Sequence, residues 1–435
     1  MSLKSSLFLG YRFLFDRSEG RRGLKQVKGA FIGIALSLVP LVVVLVVANG
    51  MIEGITRRFV EVGTSHIQLK NYIGTDRNSV ESLVQDVSAV EGVTFAFPFS
   101  TGLALAYGEN GRTGVTVKGI SQSVYEEDEG FRQYIEMKEG SFDLKEKDSL
   151  LLSVGVAQKL DVKPGDEVRL VIARSFPGRR PVLRPVNFTV KGIFTTGYYE
   201  LDGLSAYISY EQGAALFRDP GSLSIGVKVE DPYSSLDDIT LKLEEVLKPN
   251  WHVVTWYDLE KPVYKSFQTT RMLLVFIMFL IVCVAAVNIS STMVMLVLSR
   301  RQDIVILKSA GADPRDISRS FFFSGFILSA FGTCAGVAAG LVLAVNINEV
   351  VAFIEKFLSN FVTFFASILF PFQEQKSVHI KLFDPSFYLE RIPVRISFQE
   401  VFLIMFVSVA LGSLASYIPA RRAGNIRPLE ILQKH

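Results

Sequence analysis

Four stretches of the chain run without a single charged side chain, at residues 29–50, 272–298, 320–348 and 401–420. A bilayer core about 30 Å thick takes roughly 20 apolar residues of helix, so each is long enough to cross a membrane. The second, MLLVFIMFLIVCVAAVNISSTMVMLVL, is the clearest and is closed at once by Arg300 and Arg301. Between the first two spans, residues 51–271 change to short alternating apolar and polar runs punctuated by Gly and Pro. Strands are predicted at 66–69, 114–120, 167–173, 188–194, 205–209 and 223–229, and helices at 79–87, 154–160, 210–217 and 236–247. The fold class expected is therefore a membrane protein of four transmembrane α-helices, with a large α+β domain inserted between helices 1 and 2.

A further apolar and aromatic run, FLSNFVTFFASILFPFQ at 357–373, is marginal as a span, because Glu355 and Lys356 precede it and Pro371 lies near its end. If it crossed, the last span would finish on the wrong side for its terminal arginines. It is expected to be interfacial or re-entrant.

Basic residues fix the orientation. Lys4, Arg12, Arg17, Arg21, Arg22, Lys25 and Lys28 precede the first span, and Arg421, Arg422, Arg427 and Lys434 follow the last. Arg300, Arg301, Lys308, Arg315 and Arg319 crowd the short segment between spans two and three. The positive-inside rule puts both termini and this segment in the cytoplasm and the large domain outside. The expected division is an amphipathic cytoplasmic segment at 1–28, spans at 29–50, 271–299, 320–348 and 401–420, and an exported domain at 51–270. A cytoplasmic loop at 300–319, an outer loop at 349–400 and a cytoplasmic tail at 421–435 complete it. The first span is expected to stay as an anchor, since its basic leader is long and no small-x-small cleavage site follows Ala48.

The net charge of +3 over 435 residues gives no basic stripe for nucleic acid. Both cysteines, Cys283 and Cys334, fall inside spans, so neither can staple the exported domain. With His66, His252, His379 and His435 scattered and no CxxC or HxxxH, no metal site is expected. No nucleophile triad is visible, and Glu126, Glu127, Asp128 and Glu129 read as a solvated acidic face, so an enzyme is not expected.

Two polar segments stand out. In 300–319 the run Ile304, Val305, Ile306, Leu307 is more apolar than a solvated loop needs, with Gly311 and Pro314 shaping helix ends. The segment 175–185 joins two predicted strands and carries Pro177, Gly178, Arg179, Arg180 and Pro181. Proline cannot complete a ladder and the charges seek water, which fits either a docking tip or an ordinary solvated hairpin.

The arrangement resembles the MacB/FtsX superfamily of ABC transporter permeases, and within it the lipoprotein-releasing LolC/LolE family. The resemblance rests on LGYRF at 9–13, Asn49 and Gly50, GIFTTGYYELD at 192–202, AVNI at 286–289 and RQDIVILKSAGA at 301–312. Phe383 to Pro385, YIPARRA at 417–423 and Pro428 to Glu430 extend it to nearly the whole chain. It implies a bacterial inner-membrane protein whose large domain is periplasmic. It also implies a coupling helix after span two that seats in a separate LolD-like ATPase. No GxxxxGK[ST] occurs here, so ATP and magnesium are expected on that partner and no cofactor on this chain. Asp303, Ile304, Leu307, Lys308, Gly311, Ala312, Asp313 and Arg315 are the coupling residues so implied.

The resemblance further implies that Pro177, Gly178, Arg179, Arg180 and Pro181 form a hook for a LolA-like periplasmic chaperone, a LolC feature, whereas Phe383 to Pro385 is closer to LolE. A second permease subunit, LolC/LolE-like or another copy of this chain, completes the expected complex. Exposing an acyl chain of about 15 carbons to water costs on the order of 12 kcal/mol, so a lipoprotein should move through a dry groove between spans one and two. Leu45, Val46, Asn49, Met51, Met272, Phe276 and Met278 are the candidates to line it, each weighed against plain lipid contact. Pro40 could hinge span one or be a tolerated kink. The alternative function within the superfamily is peptide or antibiotic export, or regulation of cell-wall hydrolases.

Overall fold

The computed structural model describes residues 3–15, 21–73, 77–174, 182–219, 221–234, 236–369 and 392–425. Two compact units divide the chain. One comprises Met1–Met51, Phe267–Ile380 and Ile392–His435, and the other Ile52–Ser266 with Lys381–Arg391.

In chain order the helices are α1 (Leu3–Phe15), α2 (Arg21–Arg58), α3 (Arg77–Ser88), α4 (Gln122–Glu127), α5 (Glu129–Tyr134), α6 (Val154–Leu160), α7 (Tyr199–Asp202) and α8 (Tyr210–Leu216). They continue with α9 (Leu236–Val246), α10 (Trp256–Leu259), α11 (Lys261–Ser299), α12 (Arg301–Ser309), α13 (Pro314–Val345), α14 (Ile347–Leu369) and α15 (Phe398–Gly424). A π-helical turn, Phe59–Thr64, finishes α2. Four of the helices among the described residues, those containing the predicted spans, are long and apolar enough to cross a membrane.

The first unit is a helix bundle held by small residues. Gly332, Gly336 and Gly340, one turn apart on α13, admit Ile34, Ala35 and Val42 of α2, and a Cβ on Gly336 would fall 3.0 Å from Ala35 Cα. Such a stripe lets two backbones approach in a medium where hydrophobicity gives no drive for association. Against α15 the complement alternates, with Ser416 over Gly325 and Ser329 over Gly412. Each of these two serine hydroxyls donates back one turn, Ser416 Oγ to the Gly412 carbonyl and Ser329 Oγ to that of Gly325, both at 2.8 Å, so neither is stranded. Helix α1 packs on α13, with Phe13 stacked on Phe321 at 4.8 Å and Ser324 Oγ donating to the Gly10 carbonyl.

The second unit is built on a sheet of ten strands among the described residues: β1 (Ile67–Asn71), β2 (Val93–Tyr107), β3 (Arg112–Ile120), β4 (Glu136–Gly140), β5 (Ser149–Ser153), β6 (Glu167–Arg174), β7 (Val182–Thr195), β8 (Ser205–Ser209), β9 (Leu223–Val229) and β10 (Trp251–Thr255). Their order is β10-β1-β9-β2-β3-β8-β5-β7-β4, with β6 pairing β2 and β7. Only β3/β8 and β5/β7 are parallel, so the sheet is mixed. Helices cover it through three apolar clusters, centred on Leu152 and Phe188, on Phe131 and Tyr207, and on Leu69 and Leu243.

All six predicted strands and all four predicted helices of this domain are present, and four strands go beyond them. Strand β5 lacks alternation because every residue of Ser149–Ser153 is buried. Strand β2 carries Pro98 and Gly102, which read as turn residues. In the fold Gly102 is required because the Phe217 ring lies where its Cβ would be. The aromatic run predicted from residue 357 belongs to a helix that already starts at Ile347, with Phe353, Phe357 and Phe361 exposed; residues 370–373 lie outside the described residues.

Candidate functional site

The segment after the second span folds as a turn, a short helix and a second turn. Helix α12 follows Arg300, whose guanidinium is buried, pairs with Asp303 at 3.3 Å and donates to the Phe13 carbonyl of α1 at 3.4 Å. Ile304 and Val305 are buried and Leu307 packs on the bundle core, while Ile306 is 66% exposed. The apolar run is thus divided: three side chains hold α12 on the bundle and one faces outward.

The end of α12 is a Schellman turn. The Ala312 N–H donates to the Leu307 carbonyl and the Gly311 N–H to that of Lys308, both at 3.0 Å, with Gly311 at φ +91°. Asp313 then caps α13, its Oδ1 accepting from the Arg315 N–H at 2.8 Å, with Pro314 in the first turn. Lys308 turns inward and donates to the Gly424 carbonyl at 2.6 Å, fastening the end of α15. Of the coupling candidates, Gly311, Asp313 and Arg315 are exposed, Asp303, Leu307, Lys308 and Ala312 half-buried, and Ile304 fully buried.

The groove candidates differ in exposure. Leu45 and Val46 are buried in the chain's own bundle, Met278 is half-buried against the same core, and Met272 and Phe276 are exposed by 75% and 59%. Asn49 and Met51 are half-buried. Glu400 of α15 was not singled out in the sequence, yet its carboxylate accepts from Asn49 Nδ2 of α2 and pairs with Arg271 of α11. Gly50 beside it leaves room for the Pro393 carbonyl. Helix α2 continues uninterrupted through Pro40, which is exposed. The hook candidates Pro177 to Pro181 lie outside the described residues.

In the second unit the end of α2 is gripped by charges that the sequence did not reveal. Lys228 of β9 donates to the Glu61 backbone carbonyl at 3.0 Å, binds the Glu61 carboxylate and sits 3.3 Å from Asp128. Lys118 of β3 donates to the carbonyls of Val62 and Gly63 at 3.3 and 3.4 Å and lies 5.0 Å above the Phe99 ring. These are the last carbonyls of the π turn, which the helix itself cannot satisfy. Burial, with repulsion from Lys228, pulls the Lys118 ammonium down to about 7. His66 Nδ1 accepts from the Val229 N–H at 2.9 Å, so its proton is on Nε2 and points at Glu61 Oε1, 3.0 Å away. Ser65, at φ +83°, ends the helix.

The run GIFTTGYYELD completes the grip. Asp202 accepts from Thr195 Oγ1 at 2.5 Å and from the N–H and hydroxyl of Thr196 at 2.7 and 2.8 Å. The loop so fixed presents the Thr196 carbonyl to Arg58 Nε at 2.8 Å, and Arg58 also lies over the Tyr134 ring. The conformation of this motif is therefore spent on holding the end of α2.

Two sequence families cover most of the chain. The MacB-like periplasmic core domain matches residues 29–242 and the FtsX-like permease C-terminal matches 275–428. The chain belongs to the MacB/FtsX superfamily of ABC transporter permeases. Similar proteins align with this permease over nearly their whole length. The lipoprotein-releasing system transmembrane protein LolC of Neisseria meningitidis is 27% identical over 98% of both chains. The LolE protein of Haemophilus influenzae is 23% identical over 100% of both. The periplasmic region of MacB from Actinobacillus actinomycetemcomitans overlays 47% of the permease and 95% of its own chain at 14% identity and a TM-score of 0.30, too loose to add to the fold.

Proposed function

We propose that this permease extracts lipoproteins from the outer leaflet of the inner membrane and passes them to a periplasmic LolA-like chaperone, driven by a separate LolD-like ATPase. What carries the reading is the end-to-end likeness to lipoprotein-releasing LolC and LolE proteins, which align over 98–100% of both chains. Both termini and α12 are cytoplasmic on this reading, in line with the clustering of basic residues at those span ends.

Helix α12 suits the docking role. Its buried Ile304 and Val305 and the Arg300 pairing make it rigid with the bundle, so a push on exposed Ile306 would move helices rather than bend a loop. A second permease, LolC/LolE-like or another copy, supplies the facing half of the groove. The exposed Met272 and Phe276 are then the acyl-contacting candidates, while Leu45 and Val46 shape α2 from behind. Glu400, tying the outer ends of α2, α11 and α15, is a latch whose release would let α2 and α11 part. Lys118, Lys228 and Arg58 fix the end of α2 within the exported domain, and the chaperone is held by Pro177, Gly178, Arg179, Arg180 and Pro181.

A photocrosslinking residue at Arg179 in cells tests this. Capture of a soluble lipoprotein chaperone, lost on Pro181→Ala or Arg180→Glu, supports it. Capture of a hydrolase activator or an outer-membrane channel adaptor, or of nothing, moves the function to signalling or export.

A further inference from the structure

The end of the bundle that carries α12 also carries a groove, of whose lining only Asp313 and Arg315 belong to the coupling set. It holds about 700 Å³ between the first turns of α13 and the last turns of α15. Arg315, Arg319 and Arg421 line it with Phe322 and Tyr417, and Asp313, Ser318 and Asn425 complete its polar wall. The groove is built on close contact. A Cβ on Gly424 would lie 2.5 Å from the Pro314 carbonyl oxygen, and the Gly424 carbonyl accepts from the Lys308 ammonium.

Its lining carries three arginines against one carboxylate, that of Asp313. The Asp313 carboxylate caps α13, and Asp316, almost buried, lies 3.7 Å from the Arg319 guanidinium. Arg315, Arg319 and Arg421 are all exposed. Exposed cations at the end of two spans, beside the half-buried Phe322 and a Tyr417 ring that is 55% exposed, form a mouth for negative charge next to a wall for hydrocarbon. Basic pockets between transmembrane helices take anionic headgroups for this reason.

We infer that this groove binds an anionic phospholipid, with the headgroup phosphate on Arg319 and Arg421 and the chains along Phe322 and Tyr417. Free phosphate shares the headgroup chemistry but has no use for the aromatic wall. The site lies at the opposite end of the spans from Glu400 and the groove candidates, and takes a resident lipid rather than the transported one.

The test uses the full-length chain in nanodiscs of mixed phosphatidylglycerol and phosphatidylcholine, with lipids retained on the ejected protein identified by native mass spectrometry. Wild type should keep phosphatidylglycerol in preference to phosphatidylcholine. Arg319→Gln with Arg421→Gln should weaken retention roughly 30-fold, about fivefold for each charge removed near the surface. Arg319→Lys with Arg421→Lys should keep most of it, and thermal unfolding should match wild type in both variants. Arg315 is left intact because it belongs to the coupling set. Equal retention by the Gln variant, or no preference in wild type, would overturn the site. Displacement of the lipid by millimolar inorganic phosphate would assign the groove to a soluble anion and overturn the lipid assignment.

Discussion

Lys118 and Lys228 both reach the π turn that ends α2, yet their removal should have very different effects. In Lys228→Met, the carboxylates of Glu61 and Asp128, whose side chains are 18% and 7% exposed, lose the ammonium between them. Breaking a buried pair from one side leaves uncompensated charge and costs about 3–5 kcal/mol. In Lys118→Met, what is lost is two long hydrogen bonds from a group whose own charge is disfavoured by burial, so at about pH 7 the change should stay within about 1 kcal/mol. The gap of at least about 2 kcal/mol is roughly a 30-fold difference in local opening. Hydrogen exchange on the full-length protein, followed in peptides covering 59–71 and 223–229, reads it directly. Equal protection in the two variants, or greater damage from Lys118→Met, would refute the assignment of Lys228 as the charge-bearing member.

The same pair gives a pH signature. The folded state holds Lys118 at about 7 against an unfolded value of 10.5, so between these limits the unfolded chain binds the extra proton and stability rises with pH. Between about pH 7 and 9.5 wild type should therefore gain stability and Lys118→Met should lose that slope.

Glu400→Gln should leave thermal stability within about 1 kcal/mol, since the Arg271 side chain is exposed, but should lengthen or broaden the spin-label distance between Met51 and Met272; an unchanged distribution would remove the latch. Gly311→Ala places a side chain at φ +91° and should cost about 1 kcal/mol, seen as roughly fivefold faster exchange in α12, while the reverse change at the exposed neighbour, Ala310→Gly, should have a smaller effect. Gly336→Leu forces a side chain against Ala35 and should lower stability by about 1–3 kcal/mol or more, measured as loss of folded protein on heating in detergent.

What was legible in the sequence was local. Charge-free runs located four span-length helices, and alternation located six strands, because each signal is contained within one element. Ile304 to Leu307, closed by Gly311 and Pro314, pointed to a short helix with defined ends, and the Schellman turn and Asp313 cap give those ends their geometry. Strand β5 was missed because burial on both faces erases the period-two pattern, and the helical limits of α2 were underread because its apolar run stops at Gly50 while the helix continues to Arg58.

The grip on α2 was illegible for a different reason. Lys118, Asp128 and Lys228 stand far from Glu61 in sequence, and each taken alone reads as an ordinary surface charge. Glu400 is likewise one acid before an apolar run until the fold sets Asn49 and Arg271 beside it. The stripe of Gly332, Gly336 and Gly340 did carry a readable signal, since glycines one turn apart in a span mark a packing face. Leu45 and Val46 show the converse limit: sequence placed them at the outer half of α2, but only packing fixes which way they face.

Release itself is the most direct test of the function. The permease, reconstituted with its ATPase and second subunit in vesicles holding a triacylated lipoprotein, is supplied with ATP and the soluble chaperone, and lipoprotein leaving the vesicles is counted. ATP-dependent transfer to the chaperone, reduced by Arg180→Glu without loss of ATP hydrolysis, is the predicted result. Hydrolysis that proceeds at full rate while no lipoprotein leaves would contradict lipoprotein release as this permease's function.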